Sequence, residues 1–471
     1  MSIRKGAELD LEITKLAFGG NAIAYVEGLV VFLDRGIPGQ RARARITRKK
    51  SQYAEGQLLE VLSPAPGEVE PFCPHFGVCG GCRWQNLGYE DQLTWKHRHV
   101  VECLERLGGV ETAQVKAPVA SMGSKWYRNK MEFTFSNRRW LSSAEIASGE
   151  LIDRTFALGL HARGHFDRVF DVDTCFLESE TANAIVREAR DWAKESGLRP
   201  YSTKDHQGFW RFLVIREGKA TGQRMVHVIT AGHRDAEKVT DGLAARLRDR
   251  VDGVTTLVHS ISHKKAQVAV GDFSRTVFGP GTIEESLEGL KFRISAHSFF
   301  QTNTLGAQRL YEIVRQLGDF KGTETVWDLY CGTGSISLFI ASRAHRVVGF
   351  EVVQDAIDDA FVNCTLNGID NCSFRAGDLK DLIQEAARTP KLYGSPDVII
   401  TDPPRAGMHP QVVKALLDVL PSHIIAVSCN PATLARDLAL LLERYFVEAV
   451  QPVDLFPHTP HIECVVKLTR K

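Results

Sequence analysis

Residues 7–62 alternate apolar and polar positions over short runs, as in Glu8-Leu9-Asp10-Leu11-Glu12-Ile13, Ala22-Ile23-Ala24-Tyr25-Val26, Leu29-Val30-Val31-Phe32-Leu33 and Gln57-Leu58-Leu59-Glu60-Val61. A two-residue period with glycine punctuation at Gly19-Gly20, Gly28 and Gly36 to Gly39 predicts about five strands, closed as a small barrel. Ser63-Pro64-Ala65-Pro66-Gly67 reads as a linker. A helix is then predicted from about Gln92 to Leu107, with Gly108-Gly109 as its stop. Residues 120–290 mix basic and aromatic strands with helices near 180–196 and 235–250.

From about residue 291 the pattern becomes alternating helix and strand. Helices are predicted at 304–317, 334–343, 355–367, 410–419 and 432–443. Strands are predicted at Glu324 to Leu329, Arg346 to Phe350, 373–376, Val398 to Thr401 and Ile424 to Ser428. This order predicts a mainly parallel, doubly wound sheet. The predicted domains are therefore a barrel over 1–62, a central α+β unit over 63–290 and an α/β unit over 291–471.

With 471 residues, 44% hydrophobic and 24% charged, the composition is that of an ordinary globular protein with room for several domains. Met1 to Gly6 lacks the apolar run of a signal peptide, and no apolar stretch approaches a membrane span. A cytoplasmic location, no membrane partner and a monomer are expected. Ten cysteines in a reducing compartment point to metal ligands, a nucleophile and core residues. The net charge of +1 hides an uneven start, with ten Lys/Arg against five Asp/Glu in residues 1–50. Arg41, Arg43 and Arg45 share one strand face, and Arg48-Lys49-Lys50 extend the ribbon toward a phosphate backbone. Trp126-Tyr127-Arg128-Asn129-Lys130 and Phe133-Thr134-Phe135 interleave rings with charge, a pattern suited to stacking on bases if the rings are not core.

Asp328-Leu329-Tyr330-Cys331-Gly332-Thr333-Gly334-Ser335 lies between a strand and its helix, where glycines admit a ligand to the helix N-terminus. Glu351 ends the next strand and suits a ribose diol. Ser337 stands where a dinucleotide fingerprint has its third glycine, and no phosphate-binding lysine follows, so S-adenosylmethionine is preferred to a nicotinamide cofactor. Asp378 follows a further strand, placed to meet an adenine amino group. Cys331 and Cys364 read as small buried residues.

Cys73, Cys79 and Cys82 form a Cys-x5-Cys-x2-Cys run among glycines, a pattern for metal. The fourth ligand is distant, with Cys103 and Cys175 as candidates; zinc and an iron–sulfur cluster both remain open, and His75 is a further zinc candidate. Cys429, in Val427-Ser428-Cys429-Asn430-Pro431, ends a buried strand where a nucleophile can face a cleft. Asp402-Pro403-Pro404-Arg405 follows the strand before it, and Glu463 lies in His461-Ile462-Glu463. Alone, Cys429 reads equally as an inert thiol and Glu463 as a surface carboxylate. Beside a methyl-donor turn, a thiol and a carboxylate provide for carbon methylation of a pyrimidine. Arg405 stands where adenine-amino methyltransferases carry an aromatic residue.

These motifs together resemble the RNA uracil-5-methyltransferases that carry an iron–sulfur cluster. The resemblance covers nearly the whole chain. It implies a Rossmann-like S-adenosylmethionine methyltransferase domain, an OB-like RNA-binding TRAM barrel at the N-terminus, and a central domain holding a 4Fe-4S cluster on Cys73, Cys79, Cys82 and Cys175. It implies donor contacts from Gln301, Tyr330, Ser335, Glu351, Asp378 and Asp402, with Ser335 departing from the asparagine often found there. It implies Cys429 as nucleophile and Glu463 as general base, with Asp402 beside them. The implied product is 5-methyluridine, in 23S ribosomal RNA rather than transfer RNA. The stretch Arg138 to Thr155 looks longer than in compact relatives and has no assigned role.

Overall fold

The computed structural model describes residues 3–111 and 114–471. Strands Glu8–Leu16, Ala22–Val26, Leu29–Leu33, Arg41–Lys49 and Tyr53–Ser63 close into the expected barrel. Leu9, Leu11 and Ile13 point inward while Glu8, Asp10 and Glu12 point out. Trp84 and Leu87, from beyond the linker, complete this core. Gly36 has to be glycine: its φ is +119°, and a Cβ there would lie 2.3 Å from Ile13 Cδ1. The helix predicted from Gln92 starts earlier, spanning Tyr89–Cys103, and continues as a π-turn over Leu104–Gly108 that ends on left-handed Gly109.

The central unit is an eight-stranded sheet. Its order is Phe273–Phe278, Thr256–Ile261, Arg224–Thr230, Trp210–Glu217, Lys130–Ser136, Ala157–His161, Val169–Asp171 and Arg139–Trp140. Helices Glu180–Glu195 and Ala236–Arg250 bury their apolar stripes in its core. Tyr127, Phe133 and Phe135 lie in that core, so these rings pack the protein and do not face bases. Trp126 alone of that group stays exposed.

The C-terminal sheet has seven strands. Cys372–Ala376, Arg346–Glu351, Thr325–Leu329, Val398–Thr401 and His423–Ser428 run parallel; Glu463–Arg470 and Tyr445–Val453 then add an antiparallel edge. The hairpin of Thr282–Leu287 and Leu290–Ser295 packs Ile283, Leu287, Phe292 and Ile294 into the same core. Helices Leu379–Arg388 and Pro390–Tyr393, and strand Tyr445–Val453, were not anticipated. The helix Thr304–Gly318 seals one face through Leu310, Tyr311 and Val314. Among the described residues, no helix is long and apolar enough to cross a membrane.

The irregular strap 454–462 joins these units. Lys96, on the Tyr89–Cys103 helix, donates to Asp454 at 2.6 Å and to the Phe456 carbonyl at 3.0 Å, and both charged side chains are fully buried. Burial pushes the Lys96 ammonium down while Asp454 holds it up. Tyr89 reaches the other Asp454 oxygen at 3.0 Å. Replacing Lys96 by Met strands this carboxylate in a dry interior, which costs roughly 3–5 kcal/mol. We expect Lys96→Met to lower the thermal unfolding midpoint by many degrees; an unchanged midpoint would show that the pair is dispensable.

Candidate functional site

The carboxyl edge of the parallel strands carries the site. Strand Thr325–Leu329 ends in a turn with three left-handed residues, Tyr330 (φ 65°), Gly332 (φ 52°) and Gly334 (φ 77°). A Cβ at Gly332 would meet nothing within 4 Å, so the turn opens onto free space. Glu351, at the end of the adjacent strand, accepts from Gly332 N–H at 3.2 Å and from Val352 N–H at 2.8 Å. Asp378 follows the next strand, caps the helix Leu379–Arg388 and pairs with Lys380 at 3.0 Å. Ser335 is buried at the start of the helix after the turn, 3.3 Å from Thr333 Oγ1. Gln301 is buried, and its carbonyl accepts from Asn129 Nδ2 at 2.9 Å. Adjacent strands therefore present Tyr330, Glu351, Asp378 and Asp402 in one row.

Beneath the turn, Asp328 is fully buried, with one oxygen bonded by Ser337 at 2.5 Å and the other without a partner. Burial pushes it up to about 7 against the Ser337 bond.

Cys429 stands one residue past the last pair of the antiparallel ladder, Ser428 opposite Cys464. Continuing that register sets Cys429 across from Glu463. The turn is fixed: Asn430 accepts from Ala432 N–H at 3.1 Å and donates to the Arg405 carbonyl at 3.0 Å. That second bond ties the thiol turn to the Asp402–Arg405 loop. Burial, then the charge of Glu463, pushes the Cys429 thiol up to about 11, while Arg405 pulls it down by charge and hydrogen bond. Glu463 is 3% exposed and is pushed up to about 8 by burial and by Asp402, with Arg405 opposing. Burial alone lifts the Asp402 carboxyl to about 7. Tyr311, behind the cleft, lies near Ser335, Asp402 and Glu463.

The structure thus brings Cys429, Glu463 and Asp402 together. It adds Arg405, which the sequence reading used only to set aside adenine methylation, and Tyr311, which that reading missed. The signal for Arg405 was its place in the same turn as Asp402; Tyr311, between Leu310 and Glu312 on an amphipathic helix, stands in no motif that marks it.

The second constellation is a cavity of about 340 Å³ lined by Cys73, Cys79, Cys82 and Cys175. Arg128, Lys130 and His75 also line it, and His75 Nε2 is buried without a partner. Gly81 N–H points at Cys79 Sγ at 3.4 Å. Asn183 fixes Cys175 through both backbone groups, at 2.6 and 3.1 Å. Burial raises all four thiols; the charge of Cys73 bears on Cys79 and Cys82, and those of Cys79 and Cys82 bear on Cys175. Cys103 lies apart, close to Cys464. Among the described residues, no three His, Cys, Asp or Glu side chains converge on a position for a single metal ion. The thiols ring the cavity instead. Thr302 and Thr459 line it too, next to Gln301 and shortly before Glu463.

On the barrel, Arg43 pairs with Asp10 at 3.0 Å, Arg45 with Glu8 at 2.8 Å and Arg48 with Glu55 at 3.7 Å. Cross-strand acids neutralise much of the expected positive ribbon.

A family model described as tRNA (Uracil-5-)-methyltransferase matches residues 277–471, and one for the TRAM domain matches residues 4–59. An uncharacterized RNA methyltransferase of Nitratidesulfovibrio vulgaris is 43% identical over 469 residues, covering 99% of this chain and 97% of its own length. One from Chlorobaculum tepidum is 42% identical over 479 residues, with 99% and 97% covered. The crystal structure of Pyrococcus abyssi tRNA (uracil-54, C5)-methyltransferase in complex with S-adenosyl-L-homocysteine is similar, with a TM-score of 0.74 and 26% identity, covering 98% of this chain and 100% of that one.

The raised Glu463 carboxyl has a consequence for stability. The folded chain holds this proton up to about pH 8, whereas the unfolded chain releases it near the ordinary value of 4.5. Stability therefore falls as pH rises through that window. Glu463→Gln is expected to raise the unfolding midpoint by a few degrees at pH 8, with the gap closing toward pH 4.5; equal midpoints at pH 8 would contradict the buried-acid assignment.

Proposed function

This chain belongs to the RNA uracil-5-methyltransferase family, with an N-terminal TRAM domain, and on that premise we propose that it methylates C5 of a uridine in RNA with S-adenosylmethionine. The observation that carries the reading is the antiparallel pairing that ends at Ser428 and Cys464, one residue short of Cys429 and Glu463, with the charges of Asp402 and Arg405 acting on both groups. The row Tyr330, Glu351, Asp378 and Asp402, with Ser335 and Gln301 adjoining, suits the donor. The open Gly332 turn leaves room for it, and Glu351 and Asp378 supply acceptors at successive strand ends. When bound, S-adenosylmethionine supplies an electrophilic methyl group.

Uracil C5 is a weak nucleophile. Cys429, as thiolate, adds to C6; the C5–C6 π pair moves toward C5 and the O4 enolate, and C5 takes the methyl group as the bond from methyl to sulfonium sulfur breaks. Glu463 removes the C5 proton, the double bond re-forms and the thiolate leaves. Arg405 is placed to favour the thiolate, and Asp402 keeps Glu463 a stronger base than an exposed carboxylate. The target base has to leave its stack to enter such a buried site.

The cysteine cavity suits a 4Fe-4S cluster on Cys73, Cys79, Cys82 and Cys175. Its thiols surround a volume instead of a point, an N–H faces one sulfur, and Arg128 and Lys130 offset negative charge. The chemistry needs no electron transfer, so the role assigned is structural. The 23S ribosomal RNA is the proposed substrate, on the resemblance that links barrel and cluster to that target. Transfer RNA is the second reading, favoured by the full-length likeness to the Pyrococcus tRNA enzyme.

Product analysis, two site variants and iron content test these assignments. Labelled methyl is expected at C5 of uridine in RNA, and mapping the uridine left unmethylated in a deletion strain separates the two substrates. Cys429→Ala is expected to reduce turnover by at least about 10³-fold, whereas Glu463→Gln should accumulate a protein–RNA adduct that survives denaturing electrophoresis. Full turnover by Cys429→Ala would exclude the covalent route. Cys175→Ser is expected to lose bound iron and acid-labile sulfide together and to unfold at lower temperature; undiminished iron would exclude Cys175 as a ligand.

A further inference from the structure

The loop Ala162–Arg168 takes no part in this chemistry, yet it is built against the cysteine loop. Gly80 N–H donates to the His161 carbonyl at 3.0 Å, and Arg163 N–H donates to the Val78 carbonyl at 3.1 Å. Gly80 permits this approach, since a Cβ there would stand 2.7 Å from the His161 carbonyl oxygen. Between the two loops opens a cavity of about 410 Å³, whose walls include Arg83, His161, Arg163, His165 and Phe166.

Three guanidinium groups gather at this place. Arg163 donates to the Asp34 carbonyl, Arg83 to the Gly19 carbonyl at 2.8 Å and Arg35 to the Leu58 carbonyl at 3.0 Å. The charges of Arg83 and Arg35 both bear on Arg163. Among the described residues, none of the three forms an ion pair with a carboxylate, unlike Arg43, Arg45 and Arg48 on the outer barrel face. Arg35 Nε is buried with no partner. One carboxylate, Asp34, acts on both Arg83 and Arg163, so three guanidinium groups against one acid leave a local positive field that an outside anion can offset.

An aromatic ring stands beside that field. Phe166 is 86% exposed at the loop tip. The loop is braced from beneath: the His165 ring stacks on Trp140 with centroids 4.3 Å apart, Arg168 lies over the same indole at 5.5 Å, and Arg138 pairs with Asp167. Trp140 and Arg138 belong to the stretch 138–155 that had no assigned role. Its first residues hold the loop in place, so Phe166 is presented on a supported tip.

We propose that this cavity is a second RNA subsite, in which Arg83 and Arg163 take one backbone phosphate of an unpaired stretch and Phe166 stacks on the neighbouring base. The inference rests on the reading of the chain as an RNA-modifying enzyme, but not on the covalent mechanism. Stacking on a ring is sequence-tolerant, and guanidinium groups read phosphate and not base, so the subsite adds affinity more than sequence choice.

The test uses the full-length protein and a fluorescein-labelled single-stranded oligouridylate, with affinity measured across a salt series. Phe166→Ala is expected to bind about tenfold more weakly with an unchanged salt slope. Arg163→Gln is expected to flatten the slope of log affinity against log salt by about 0.7, the loss of one phosphate contact on a single strand. Both variants should keep wild-type kcat at saturating RNA, with a raised KM. Phe166 is a surface ring whose removal leaves packing intact, so its result stands even if Arg163→Gln loosens the barrel contact. Wild-type affinity and slope in both variants would overturn the subsite. Wild-type protein that binds the oligouridylate with these dependences but transfers no methyl to any RNA would overturn the enzymatic reading and leave the subsite standing.

Discussion

The buried Lys96–Asp454 pair is the constraint on which the rest of the molecule leans. It anchors an irregular segment running through the interior, where every peptide group needs a partner. Each unit supplies one. Arg83 and Trp84 N–H groups both donate to the His458 carbonyl, Tyr127 reaches the Pro457 carbonyl, and Asn303 donates to the Leu455 carbonyl at 2.8 Å. Gln92 accepts from His458 N–H at 2.8 Å. One segment therefore ties the helix after the barrel, the cysteine loop, the central sheet and the C-terminal sheet, then passes directly into Glu463. An ion pair in this position contributes little net stability over an apolar substitute, but it allows one placement of the strap.

The same geometry gives the cysteine cavity a mechanical meaning. Its lining includes Thr302, beside Gln301, and Thr459, on the strap before Glu463. Asn129 bonds the Gln301 carbonyl through its side chain and the Thr302 carbonyl through its N–H. Whatever fills the cavity sets the spacing between two segments that carry candidate site residues. A rigid filler there needs no redox role to matter for the proposed chemistry.

How much of this was legible in the sequence follows from how local each feature is. The barrel, the donor turn and the parallel strands follow from short-range periodicity and glycine placement, and they stand where expected. The meeting of Cys429 and Glu463 depends on strand Glu463–Arg470 seating itself between His423–Ser428 and the edge strand Tyr445–Val453; the motifs and the resemblance named the two residues, but not that pairing. What the outer barrel arginines did not reveal is their pairing, because the acids they meet, Glu8 and Asp10, lie on the partner strand and are set by register. Phe133 and Phe135 take the core place that is usual for strand aromatics; the sequence left base contact open because an aromatic strand reads alike whether it faces solvent or a helix. The Lys96–Asp454 pair spans more than 350 residues and left no local mark.

The electrostatics of the site show a cost accepted for chemistry. Asp328, Asp402 and Glu463 are all pushed upward, and Arg405 alone opposes the shifts at Glu463 and Cys429. A stability-optimised core would not bury three carboxyl groups with a single guanidinium acting on one of them. A base is most effective when its proton affinity lies near the working pH, and a solvated carboxylate, at about 4.3, is too weak to hold a proton drawn from carbon. Burial corrects that mismatch for Glu463. The same burial raises the thiol to about 11, and Arg405, which acts on both groups, is what works against that rise.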